Sequence, residues 1–237
     1  MLTLGRRTWK NTSSGSTRKK GRWIVGVLRQ FIGRMKLQSR GKNHVVGWNM
    51  TPEEAVSFMR KQRKIILTFF GYSVSYHDKE EMLKIVSGVL AQYSPEKTLV
   101  NIGATTGGLG AAYPLIKSSG FVTTGIVSTE ALDYPDSISE AVDHVCFIKD
   151  KQWGGKLPGS EQLSPTSKAM VECSDILVAI GGNDVSRDEL LEGRKQGKPI
   201  QYFPAEMDHD AAIRRAKHLG LPPPESFMGS VHEMFGK

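Results

Sequence analysis

Downstream of Met50 the chain repeats one pattern: a short apolar run, a cluster of small or charged residues, then a longer stretch with apolar residues at helical spacing. The apolar runs predict strands over Ile65 to Gly71, Thr98 to Gly103, Val122 to Val127, Val145 to Ile148, Ile176 to Ile180 and Ile200 to Phe203. Between them lie amphipathic stretches such as Lys79 to Tyr93, where Met82, Ile85, Val86, Val89, Leu90 and Tyr93 share one face. Repeated strand–helix alternation predicts an α/β protein with a Rossmann-like parallel sheet flanked by helices on both faces.

Sheets of this kind take ligands in the crevice beyond the carboxyl ends of their strands. The residues following each strand therefore carry the functional signal. Gly71 and Ser73 follow the first strand, and Gly103, Thr105, Thr106, Gly107 and Gly108 follow the second. Ser128, Thr129 and Glu130 follow the third, K-D-K-Q-W-G-G the fourth, and Gly181, Gly182, Asn183, Asp184, Ser186 and Arg187 the fifth. Small, hydroxylated and charged residues suit a polar ligand, whereas the opposite strand ends carry ordinary turns such as S-P-E-K and K-Q-G-K-P.

The densest of these loops, N-I-G-A-T-T-G-G-L-G-A-A-Y, reads either as a tight strand-to-helix turn or as an anion site of bare amide groups. Its glycines, Gly103, Gly107, Gly108 and Gly110, do not follow the dinucleotide spacing G-x-G-x-x-G, so spacing does not name the ligand.

Other residues have two readings each. Glu130 suits a ribose hydroxyl or a first helical turn. Trp153 with Gly154 and Gly155 suits a hinged lid whose indole stacks on a base, or an anchored surface loop. Tyr72 and Tyr76 suit base stacking or loop packing. Asp184, Arg187, Asp188 and Glu189 open a helix, where acids are favoured by the dipole with or without a ligand. His209, with Glu206 and Asp208, follows the sixth strand near the ligand edge, and suits either a metal site or an ordinary helix start, where such side chains are common without metal.

Charge changes the picture only at the front. The net charge of +8 arises between Met1 and Thr51, which hold twelve Lys and Arg and no Asp or Glu; the remainder carries twenty basic and twenty-four acidic residues. An electrostatic case for nucleic acid therefore applies to the leader and not to the body. Within the leader, R-W-I-V-G-V-L-R-Q-F-I-G-R-M-K predicts an amphipathic helix with Ile24, Val27, Leu28, Phe31 and Met35 on one face. It reads as a mitochondrial transit peptide, as a helix lying on an anionic membrane surface, or as a dispensable extension ahead of a start at Met50. The last is favoured because T-P-E-E gives Met50 a following helix start with cap, N1 proline and early acids. The expected layout is thus a disordered or dispensable extension over residues 1–49 and one domain over 50–237. Cys146 and Cys173 sit in apolar runs without metal spacing, which suits a reduced, cytoplasmic setting.

Two segments together resemble the SLOG superfamily of SMF, DprA and LOG proteins. N-I-G-A-T-T-G-G-L-G-A-A-Y-P-L-I-K-S-S-G-F-V-T-T-G-I-V is similar to that family's G-G-G-x-x-G-L-M-G segment with its helix and returning strand. S-D-I-L-V-A-I-G-G-N-D-V-S-R-D-E-L-L-E aligns without a gap on its P-G-G-x-G-T-x-x-E signature. The resemblance implies a Rossmann-like domain that binds a nucleotide or nucleotide-derived metabolite, with no further cofactor and with a homodimer as the expected assembly. Its LOG branch implies a phosphoribohydrolase that cuts the N-glycosidic bond of a nucleoside 5′-monophosphate. Glu189 would then hold the catalytic glutamate position, and Ser186 the hydroxyl position. The chain departs at Gly181 (proline in the motif), at Asn183 and Val185 (glycines), and at Thr166 and Ser167, where the hydrolases carry an Arg-Lys pair.

Three functions follow as expectations. The first is a protein that binds an ADP-ribose-like molecule or nucleoside phosphate as a sensor or carrier. The second is the phosphoribohydrolase. The third is a DprA-like nucleic-acid-associated module that uses the basic leader.

Overall fold

The computed structural model describes residues 34–38, 44–218 and 220–236. In chain order its elements are β1 (Arg34–Gln38), β2 (His44–Met50), α1 (Pro52–Lys61), β3 (Ile65–Gly71), α2 (Lys79–Leu90), β4 (Thr98–Ile102), α3 (Tyr113–Ser118), β5 (Val122–Ser128) and β6 (His144–Ile148). Then follow α4 (Pro165–Cys173), β7 (Ile176–Ile180), α5 (Asp184–Lys195), β8 (Ile200–Phe203), α6 (His209–His218) and α7 (Gly229–Phe235). They form one sheet in the order β1-β2-β6-β5-β4-β3-β7-β8, parallel throughout except for the antiparallel pair β1–β2 at the edge.

Alternation along the strands divides the core in two. On β3, Leu67 and Phe69 face a cluster with Met82, Val86 and Val89 of α2 and Ile116 of α3. Ile66 and Phe70 face the other side, with Ala55 and Met59 of α1, Ala169 and Met170 of α4, and Leu190 of α5. Helices on both faces leave the central strands buried, which is the reason they are apolar on both sides.

A polar seam crosses that core. The Asn101 amide donates to Thr68 Oγ1 (3.4 Å) and its carbonyl accepts from Thr124 Oγ1 (3.1 Å), while Ser174 Oγ donates to Thr68 Oγ1 (2.6 Å). All four residues are buried, and the mutual pairing removes the cost of burying them.

The boundary expected at Met50 falls inside a strand. Residues His44–Met50 run parallel to β6, with Trp48 opposite Cys146, and Trp48 packs on Phe58 of α1 at 4.9 Å between ring centroids. Residues 44–49 are therefore part of the sheet. Of the amphipathic helix expected over 22–36, residues 34–36 belong to β1 and the rest lie outside the described residues.

The cap predicted after Met50 is present. Thr51 Oγ1 accepts from Glu54 N–H (3.2 Å), the Glu54 carboxylate accepts from Thr51 N–H (2.8 Å), and Pro52 occupies N1. Replacing Thr51 by alanine breaks this reciprocal pair, and a loss of about 1 kcal/mol, read as a lower urea midpoint, is the expected result.

Candidate functional site

The crevice arises from strand order. The chain steps outward from β3 through β4 and β5 to β6, then returns to lay β7 on the other side of β3, so the direction of winding reverses between β3 and β7. In addition, β3 pairs with β4 only as far as Thr68, whereas its pairing with β7 continues to Gly71. Beyond Thr68 the two strands part. A cavity of about 330 Å³ opens there, floored by Phe69, Phe70, Ile102, Ile126, Val127 and Met170.

Its walls include many of the residues expected from the sequence. Gly71, Ser73, Gly103, Thr105 and Gly107 line it from one side, and Asn183, Asp184, Ser186 and Glu189 from the other. Thr105 and Asn183, far apart in sequence, face the same space. Trp153 and Arg215 also line it; Arg215, carried by α6, has no ion-pair partner among the described residues.

The glycine-rich loop owes much of its composition to packing. Gly108 has φ +52°, and a Cβ there would collide with the backbone carbonyls of Tyr72 and Val74. Leu109 N–H donates to Tyr72 O at 2.9 Å, so the loops after β3 and β4 lie backbone against backbone. Ala104, also in the left-handed region at φ +53°, is held by Tyr113 Oη, which accepts its N–H (3.2 Å) and donates to Thr124 O (2.8 Å). Thr106 is exposed, gives its N–H to Ser137 O and does not line the cavity.

The end of β5 lies apart from the cavity. Ser128 and Thr129 point their hydroxyls at Asp150 O (3.0 and 3.1 Å), tying β5 to β6, and neither they nor Glu130 lines the cavity. The Asp150 carbonyl takes up both hydroxyls that the sequence suggests for a ligand. Tyr72 lines the cavity and Tyr76 does not, and both hydroxyls are spent on the protein's own backbone. They are buried edge to face, with Tyr72 Oη donating to Ala205 O (2.9 Å) and Tyr76 Oη to Ile180 O (2.8 Å).

After β7, Gly181 (φ +56°) and Gly182 (φ +124°) turn the chain into α5 without lining the cavity. Asn183 stands at the N-cap but makes no side-chain cap; its amide donates to Met207 Sδ at 3.6 Å. The first amides of α5 thus reach the crevice without a capping group, at the positive end of the helix dipole. Ser186 Oγ is used internally, donating to Gly71 O at 3.0 Å. Arg187 turns away and pairs with Asp184 and Asp188 (2.8 and 2.9 Å), so it supplies no charge to the cavity.

Glu189 lies at the inner wall, 5% exposed. Ser167 Oγ accepts Gly155 N–H (2.7 Å) and donates to Glu189 Oε1 (2.6 Å). Burial pushes the Glu189 carboxyl up to about 8, against the lowering effect of the Ser167 bond and with a smaller upward contribution from Asp188. At neutral pH Glu189 is therefore mostly protonated. Beside it, Thr166 Oγ1 is buried and has no hydrogen-bond partner among the described residues, although Thr166 lines the cavity. The N–H of Thr166 is satisfied by the buried Asp150 carboxylate at 2.9 Å.

At the mouth, Trp153 is 52% exposed and stands 6.0 Å from the ring of Tyr134, itself 61% exposed. The apolar floor, Leu109 and Arg215 are among the lining residues that sequence reasoning missed. Strand-core residues such as Phe69 and Phe70 carry no mark of a binding role.

No family model matches the chain, and no curated protein matches it. Among solved structures, it is similar to the Moco carrier protein of Chlamydomonas reinhardtii, at 19% identity over 73% of this chain and 96% of that one, with TM-score 0.44. It is also similar to DNA processing protein A of Streptococcus pneumoniae, at 13% identity over 70% of this chain and 60% of that one, with TM-score 0.42. Among the described residues no helix is long and apolar enough to cross a membrane.

Proposed function

We propose that the crevice binds a nucleotide or nucleotide-derived metabolite, an ADP-ribose-like molecule or a nucleoside phosphate, and that the protein acts as a sensor or carrier of it. The observation that carries this reading is the meeting, in one cavity, of an apolar floor with the uncapped start of α5. The first suits the flat face of a base, and the second suits a phosphate. A volume of about 330 Å³ accommodates such a molecule in part, leaving the remainder toward Trp153 and the mouth.

Thr166 provides the sharpest test. Its hydroxyl is buried without a partner, so Thr166→Val should leave the free protein as stable as before or slightly more so. If a ligand supplies the missing partner, the same substitution weakens binding by roughly five- to tenfold, the worth of one neutral hydrogen bond. Thermal-shift titration with nucleoside mono- and diphosphates and ADP-ribose measures both; a ligand at 100 times its Kd adds about 2.7 kcal/mol. No shift with any of them overturns the reading.

A second reading, hydrolysis of a nucleoside monophosphate, is favoured by the protonated Glu189 at the cavity wall, which suits a general acid assisting departure of the base. Release of free base that disappears in Glu189→Gln supports it; binding without release leaves the sensor or carrier.

A further inference from the structure

A second cluster of chemically capable side chains lies outside the crevice, where the loop after β3 meets the loop after β8. The two segments are zipped together antiparallel. Tyr76 and Met207 form a β-bridge, His77 N–H donates to Glu206 O (3.1 Å), and Asp208 N–H donates to Ser75 O (2.9 Å). A third segment is bonded on, since Met207 N–H donates to Phe227 O (2.9 Å). This backbone frame sets His77 beside Glu206, and His209 opens α6 one turn further on.

One ligand atom from each of His77, Glu206 and His209 lies within 4.8 Å of the others. His209 Nε2 is 2.7 Å from Glu206 Oε2. The His209 ring is sandwiched between Phe227 (centroids 3.9 Å apart) and His77 (4.0 Å apart, 7° from parallel). Phe227 backs His209 from one side and Glu206 orients its edge, so one imidazole and the carboxylate are already placed. His77 is exposed, and one of its ring nitrogens already lies within 4.8 Å of the other two donor atoms.

We propose that His77, Glu206 and His209 form a binding site for a divalent transition-metal cation of the Zn²⁺ class, with three protein ligands and a remaining position for water. Two imidazoles and one carboxylate are the donor set such ions take, at about 2.0–2.2 Å from each donor. Mg²⁺ and Ca²⁺ prefer all-oxygen sites and are disfavoured by the same donors. The sequence conceals the set because His77 lies 129 positions before Glu206. Bound metal would fasten together two loops of the crevice wall: one contains Ser73, and the other accepts the Tyr72 hydroxyl through Ala205 O. The site does not depend on the identity, or existence, of a crevice ligand.

The test is calorimetric titration of the full, chelator-treated chain with Zn²⁺, alongside Co²⁺ absorption, which reports a low-coordinate site through intense visible bands. One ion per chain with micromolar or tighter Kd is expected, with no heat from Mg²⁺. Groups that merely orient metal ligands are worth about 10- to 100-fold in affinity, so loss of a ligand should weaken Zn²⁺ binding by at least about tenfold. His77→Ala, Glu206→Gln and His209→Ala should each do so, and His218→Ala, on the exposed end of α6, should not. His77 and Glu206 lie at the surface, and their variants are expected to retain the melting temperature of the metal-free parent. Absence of Zn²⁺ binding, or unchanged affinity in both His77→Ala and Glu206→Gln, overturns the proposal.

Discussion

Glu189→Gln is expected to stabilise the protein by on the order of 3 kcal/mol near pH 8 and by far less near pH 5. The folded chain holds the Glu189 proton up to about 8, whereas the unfolded chain gives it up near the ordinary value of 4.5. Between those values folding takes up a proton, so stability falls as pH rises; below the window both states hold the proton, and above it neither does. Glutamine has no proton to exchange and keeps an oxygen in place for the Ser167 hydroxyl. For a chain of this size the difference corresponds to roughly 6–12 °C in Tm at the alkaline end. Melting curves of both proteins from pH 5 to 8.5 measure it, and parallel profiles would show that Glu189 is not buried as described. Above pH 8 the parent gains a charge within an apolar wall, and ligand binding in the crevice should change over the same interval.

Gly108→Ala is expected to destabilise by about 3 kcal/mol, because the left-handed backbone (φ +52°) costs an alanine roughly 1 kcal/mol and the clash adds a further 1–3. The clashing atoms are the backbone carbonyls of Tyr72 and Val74, which have no rotamer to relieve them. Displacing the loop also moves Gly107 and Leu109 at the cavity wall, so ligand affinity should fall together with stability. Gly88→Ala, in the exposed interior of α2 with nothing within 4 Å of the added methyl, should instead stabilise by about 0.5–1 kcal/mol. Urea midpoints of the pair decide the matter. An unaffected Gly108→Ala would mean that the loop is not packed in this way, and a destabilised Gly88→Ala that the added methyl on α2 is not free of contacts.

Much of the fold was legible in the order of residues. The six apolar runs after Met50 are strands within a residue or two, and T-P-E-E caps α1 as its hydrogen-bonding groups dictate. The strands upstream were not legible. The V-V-G-W run is short and follows a basic stretch, and its partner β6 lies about a hundred positions later, so no local pattern announces the pairing.

The site was half legible, for a related reason. Hydroxyl-bearing residues after β5 look the same whether they meet a ligand or a backbone carbonyl, and Ser128 and Thr129 meet the carbonyl of Asp150. Phe69 and Phe70 look like core, and they floor a cavity only because β3 and β4 part after Thr68. Sequence by itself determined the strands, the helices and the sheet edge that carries polar loops, since these follow from local periodicity and turn chemistry. Tertiary structure alone decided which loops converge, which hydroxyl is left unpaired at Thr166, why Glu189 keeps its proton and how His77 reaches Glu206, because each depends on neighbours that distance along the chain does not encode.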